Sequence, residues 1–122
     1  IVMDSIADHA IITTDPTGTI TGWNQGAEQM FGYTAREAIG RPGAMIFTPE
    51  DQANGVPEQE RLTAREQGRA LDERYHLRKD QSRFYLSGVQ SPLYDGAGGL
   101  LGYVKVARDL SERRQMEQAL LL

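Results

Sequence analysis

A chain of 122 residues carrying 13 Lys and Arg against 17 Asp and Glu, for a net charge of -4, is long enough to bury one core without staples. It has no cysteine, which excludes disulfides, thiolate nucleophiles, thiolate-held zinc or iron-sulfur centres and any protein-sulfur adduct. Its basic residues stand singly or in pairs, so no cationic stripe exists for nucleic acid, and no apolar run approaches the ~20 residues of a membrane span.

Ala10 to Thr14 is a short β-branched run, closed by the turn residues Asp15-Pro16-Thr17-Gly18. Thr19 to Trp23 returns as a second strand, so the two predict a hairpin. Asn24 is a candidate N-cap for a helix carrying Ala27, Met30 and Phe31 that ends at Gly32. Thr34-Ala35-Arg36-Glu37 is a capping box for one more turn closing at Gly40. Thr48-Pro49-Glu50-Asp51 repeats the start signal, Gly55-Val56-Pro57 interrupts, and Pro57 to Gln67 continues as a polar helix stopping at Gly68. The period then switches to two: Leu71 to Lys79, Arg83 to Leu93 and Leu100 to Arg108 read as strands that pair antiparallel across short turns. Gln81 stands where a tight turn favours glycine, which predicts local strain or another turn type. From Ser111 the chain favours helix, with Asp109 or Ser111 as cap and Glu112 placed for a capping box.

Several local motifs resemble those of PAS domains. They are Thr14-Asp15-Pro16-Thr17-Gly18-Thr19-Ile20, Trp23-Asn24-x-Gly26-Ala27-Glu28-x-Met30-Phe31-Gly32-Tyr33, Arg78-Lys79-Asp80-x-Ser82-Arg83, Ser91-Pro92-Leu93-x-Asp95, and the run from Gly102 to Arg113. The resemblance covers residues 4 to 122. It implies an α+β fold: a five-stranded antiparallel sheet in the order 2-1-5-4-3, short helices over one face enclosing a small cavity, and a C-terminal exit helix. It divides the chain into an N-terminal helical segment (1–9), a core (10–108) and an exit helix (109–122) leading to an output domain. Asp109-Leu110-Ser111 matches the family's Asp-Ile-Thr motif, so Asp109 and Ser111 are the expected signal relay. The cysteine of the light-sensing branch is missing, since Pro42-Gly43-Ala44-Met45 occupies its stretch. Ala44 to Gly68 holds no histidine, so haem ligated in the family's manner is not expected. Flavin held without adduct chemistry stays open.

Matching to flavin-binding relatives places Arg74, His76, Arg78, Phe84, Leu86, Gly88 and Gln90 on the cavity face, joined by Val104, Val106 and Ile46 as candidate ligand contacts. His76 and Gln90 would either hold a small polar ligand or bond each other, or buried water, in a filled core. The opposite face would carry Tyr75, Leu77, Tyr85, Val89, Tyr103 and Lys105. Such a surface is too apolar to stand bare, and we expect a homodimer there, helped by Ile1 to Ile6. Leu110, Met116 and Leu120 form a sparse stripe that reads equally as the start of a coiled coil or as a frayed end. Gly96-Ala97-Gly98-Gly99 lacks the Lys-Ser/Thr of a phosphate loop and reads as a hairpin loop, and Trp23 as core. Two distant histidines make no metal site, and no catalytic constellation can be singled out.

The expected function is a non-catalytic, cytoplasmic sensor and dimerisation module of bacterial signal transduction. It would bind a small molecule or relay a signal to an output domain of the same parent chain, a histidine kinase by resemblance. A ligand-free dimerisation scaffold and a non-adduct flavin redox sensor are the alternatives. An apolar start and the close on Leu120-Leu121-Leu122 lead us to expect that larger parent.

Overall fold

The structure is a computed structural model that describes residues 8–121, the side chain of Glu112 excepted. The helical segment expected within 1–9, all but its last two residues, and the capping role expected of Glu112 lie outside the described residues. The hairpin strands β1 (Ala10–Thr14) and β2 (Ile20–Trp23) are followed by α1 (Gln25–Phe31), α2 (Ala35–Ala38), a 3-10 helix (Gly43–Ile46), α3 (Pro49–Ala53) and α4 (Val56–Gln67). Three long strands follow, β3 (Ala70–Leu77), β4 (Arg83–Tyr94) and β5 (Leu100–Asp109), then the exit helix α5 (Ser111–Leu120). The strands form one antiparallel sheet in the order β2-β1-β5-β4-β3.

Short polar side chains set the joints. Asp15 Oδ1 accepts from the backbone N–H groups of Thr17 and Thr19, which closes the first hairpin. Asn24 caps α1 by accepting from Ala27 N at 2.9 Å, accepts from Ile11 N at 2.8 Å, and donates to the His9 carbonyl at 3.0 Å. One side chain therefore fixes α1 against β1. Thr34 and Glu37 form the complete capping box, and Thr48 caps α3. The 3-10 helix opens at the Pro42-Gly43 pair. It is held from outside, with Gly43 N donating to the Gly18 carbonyl at 2.8 Å and a bridge joining Phe47 to His76. The core between sheet and helices gathers Ile12, Ile20, Trp23, Met30, Phe31, Ile46, Phe47, Phe84 and Leu86. Trp23 donates its indole N–H to the Tyr33 carbonyl, which satisfies its polar edge inside that core.

On β5 the faces are the reverse of those expected. Tyr103, Lys105 and Ala107 are buried against the helices, while Val104 and Val106 point to the other side and Val106 is 42% exposed. Val104 and Val106 are therefore not cavity residues, and Tyr103, only 2% exposed, is not on an outer dimer surface. Leu100 and Tyr103 pack in one cluster with Ala64 and Ala70 although they stand three apart, which a strict two-residue period forbids. An irregularity between Leu93 and Tyr94 absorbs the difference, beside Gly102 at φ +152°. Gly88 also departs from expectation. A Cβ there would lie 2.9 Å from the Ala107 Cβ and the Val106 carbonyl, so its bareness serves close strand approach rather than cavity space.

A Cβ on Gly102 would stand impossibly close to the Thr14 carbonyl oxygen. Gly102→Ala is expected to lower stability by more than about 2 kcal/mol in urea denaturation, through clash and positive φ together. Gln81 adopts φ +74° in its turn, as the strain reading required. Gln81→Gly should instead raise the denaturation midpoint, by a net gain of up to about 1 kcal/mol.

Candidate functional site: a buried charge network beneath the helices

The inward face of β3 carries Asp72 and His76, both fully buried; β5 contributes Lys105 and α4 contributes Glu60, each about nineteen-twentieths buried. Lys105 Nζ donates to Asp72 Oδ2 at 2.5 Å and lies 2.7 Å from Glu60 Oε1. The second contact is an ionic approach without hydrogen-bonding angle, so neither Glu60 oxygen receives a hydrogen bond among the described residues. Asp72 Oδ1 also accepts from Arg74 Nε at 2.8 Å and faces His76 Nε2 at 3.0 Å. His76 Nδ1 faces the Ile46 carbonyl at 2.9 Å, which ties the 3-10 helix to β3. Phe47 closes the network from the helical side, 4.6 Å from Lys105 Nζ and 4.7 Å from the His76 ring, measured to ring centroids.

Burial alone would push the Asp72 carboxyl up, but Lys105 and the His76 hydrogen bond outweigh it and hold Asp72 well below the ordinary value of 3.8. Glu60 moves the other way. Its desolvation, together with the Asp72 charge, exceeds the pull of Lys105 and raises it above its ordinary 4.5.

Beside the network lies a hollow of about 30 Å³ bordered by Ile12, Thr14, Ile46, Tyr103, Gln90 and Glu60. It has room for a water or two. Thr14 Oγ1 and both Glu60 oxygens are buried there without a hydrogen-bond partner among the described residues. Of the expected cavity residues, Ile46 and Gln90 border this hollow. His76, Phe84, Leu86 and Gly88 are on the same face of the sheet but packed into the core around it. His76 and Gln90 do not bond each other, since His76 is engaged by Asp72 and Ile46. Sequence reasoning missed Asp72, Lys105 and Glu60. The available signal was charge at alternate positions of apolar strands: Asp72 is in phase with His76 on β3, and Lys105 stands between two valines.

The exit helix is rooted by a second set of contacts. Arg78 donates to the Met30 carbonyl and, at 2.9 Å, to Asp109 Oδ2, with its guanidinium 4.1 Å over the Phe84 ring. Asp109 Oδ1 accepts from Ser111 N, which starts the helix. The Ser111 hydroxyl does not cap it. Its oxygen accepts instead from Tyr85 N at 2.8 Å, fastening α5 to β4, and Leu110 N donates to the Tyr85 carbonyl. On the outer face Tyr75 and Tyr85 meet edge to face at 5.2 Å; Tyr75 is exposed, whereas Leu77, Tyr85 and Val89 are half-buried.

A five-stranded antiparallel sheet in this order, wrapped on one face by short helices and left through a terminal helix, is the architecture of a sensory domain. The chain belongs to the PAS-fold family, whose sequence model matches residues 4–115. It is 39% identical over 121 residues to Two-component system protein A of Emericella nidulans, and 33% identical over 115 residues to the Oxygen sensor protein DosP of Escherichia coli. These matches cover 99% and 91% of the chain but only 18% and 14% of those proteins. A crystal structure of a PAS domain from Colwellia psychrerythraea superposes with a TM-score of 0.80 at 27% identity, covering 91% of this chain and 96% of that one. No helix among the described residues is long and apolar enough to cross a membrane.

Removing one member of the network should expose its ionic character. Lys105→Met strands Asp72 and Glu60 and is expected to cost about 3–5 kcal/mol. The two acids then predict opposite pH slopes in thermal denaturation. The stability tied to Asp72 is complete above 3.8 and is lost as pH falls below it toward the lower folded value. For Glu60, stability is complete below 4.5 and is lost as pH rises through its raised folded value. Glu60→Gln should therefore remove the decline above pH 4.5 and leave the acid-side loss in place.

Proposed function

We propose that this chain is a signal-transduction sensor and dimerisation module whose input is the hollow beside Glu60 and whose output is the exit helix. The observation that carries this reading is connectivity. One ion network joins α4, β3 and β5, and β5 runs without a break to Asp109 at the root of α5. A ligand that draws Glu60 away from Lys105 changes the charge balance on β5, and with it the strand that ends at the Arg78–Asp109 bridge. Such a ligand must favour one state over the other, since equal affinity for both shifts nothing.

The unpartnered acceptors Glu60 and Thr14 favour a polar hydrogen-bond donor of very few heavy atoms. A three-ring flavin does not fit a hollow of this size, and both His76 ring nitrogens are engaged by protein oxygens, which leaves neither for haem iron. The half-exposed outer face bearing Tyr75, Leu77, Tyr85 and Val89, now with Val106 in place of Tyr103, is the dimer surface in this reading. Asp109 and Ser111 act as relay through Arg78 and Tyr85. The two-component relative supports an output domain beyond α5, a histidine kinase being the natural one. A ligand-free dimerisation scaffold is the second reading. It is favoured by one observation, that apolar side chains and the ion network fill the core beneath the helices and leave a hollow of only about 30 Å³.

Native mass spectrometry of freshly purified protein should show a dimer carrying small bound mass, and Tyr75→Glu with Val106→Glu should convert it to monomer. A monomer at high concentration removes the dimer; an unliganded dimer favours the scaffold. Hydrogen exchange tests the relay: Asp109→Asn should speed exchange at the start of α5 while leaving the network on β3 protected, and unchanged α5 exchange would remove Asp109 from it.

A further inference from the structure

The β3–β4 end of the outer face and the exit helix enclose a cleft of about 280 Å³, away from the hollow, in which three guanidinium groups converge: Arg78, Arg83 and Arg114. In a chain of net charge -4 this lining contains no acidic residue. Two of the cations are neutralised from outside it. Arg78 pairs with Asp109, and Arg83 makes a two-pronged bridge to Glu50 at 2.6 and 3.0 Å. Arg114 has no ion pair among the described residues, and its Nε–H is buried without a hydrogen-bond partner. Its guanidinium stacks 4.3 Å from the Tyr85 ring centroid and 5.9 Å from that of Tyr75. Stacking engages the faces of a guanidinium and leaves its in-plane N–H groups free to donate.

We propose that this cleft is a binding site for a small aromatic carboxylate, distinct from the hollow under the helices. The charge argument gives a monoanion, because one cation of the three lacks a counter-charge among the described residues. Geometry gives the carboxylate: Arg114 lines the cleft with its Nε buried, and its two Nη groups offer an end-on fork that matches two coplanar oxygens. In the free subunit the exposed Tyr75, edge to face with Tyr85, supplies a surface for one ring, and the volume holds a ring with its acid group; both tyrosines also lie on the proposed dimer face, so an occupant here competes with dimerisation. Ser111 is the polar neighbour. Its oxygen already accepts from Tyr85 N, so its hydroxyl proton is free for the anion. An occupant would touch the β3–β4 end of the sheet and α5 together, and would brace the exit helix against the sheet.

The test is a titration of the protein, at a concentration where it is monomeric, with sodium benzoate at fixed ionic strength, followed by amide NMR. Sodium acetate supplies the charge without a ring, and benzyl alcohol the ring without a charge. Saturable shifts are expected at Tyr85, Ser111 and Arg114 with benzoate, and binding about tenfold or more weaker with either fragment. Arg114→Gln and Arg114→Lys should each weaken benzoate to a similar degree, the second because it keeps the charge and loses the fork. Arg113→Gln removes the neighbouring cation that pairs with Glu117 and should leave binding unchanged. Shifts that stay linear with benzoate concentration, equal binding by acetate, or full binding by both Arg114 variants would overturn the proposal. Because the hollow is untouched by these changes, either result leaves the sensor reading to its own test.

Discussion

A lysine ammonium on an inner strand, facing the helices, must be neutralised where it stands, and much of this fold is arranged around that requirement. Lys105 is 4% exposed, and an ion moved to such a place loses several kcal/mol of hydration that only close, well-oriented partners return. Asp72 from β3 supplies the directed contact and Glu60 from α4 an ionic one. Asp72 is in turn satisfied by Arg74 and His76, and His76 reaches on to the Ile46 carbonyl. The hydrophobic core could be assembled with some slippage between layers. The ionic chain cannot, because each member has its partner on a different element.

That rigidity bears on how a signal could travel. The network is not evenly satisfied: Asp72 is held by Lys105, Arg74 and His76, whereas Glu60 is desolvated, raised, and held by the Lys105 ion pair alone. The weak link therefore lies on α4, at the edge of the hollow, and the strong link lies on the strands. In the proposed sensor an occupant of the hollow acts on Glu60 first, and the change it makes in the field at Lys105 reaches the strand that ends at Asp109. Arg78 stands at the far end of this path, touching the last turn of α1, the Phe84 ring and the exit-helix root at once.

The outer face of the sheet has a different physical character. It is a mixed surface of tyrosines and aliphatic side chains, partly exposed, with the exit helix fastened to one end through Ser111 and Arg114. In the proposed reading, input on one side and association on the other leave the sheet itself as the shared element, since every side chain of a strand belongs to one face or the other.

The amino-acid sequence determined the elements and their order, because the signals for them are local. The alternation of Ala10 to Thr14, the Asn24 cap, the Thr34–Glu37 box and the proline opening of α3 each act within a few residues. The motif resemblance then supplied the strand order, and the PAS-fold match bears it out. Tertiary structure alone decided the 3-10 helix, whose first N–H, on Gly43, donates to the distant Gly18 carbonyl, and the facing of β5. A two-residue period favours burying Val104 and Val106, and nothing near Lys105 in the chain announces that Asp72 and Glu60 will meet it. Those partners lie 33 and 45 positions away, and bringing them together takes the whole sheet and the helix above it.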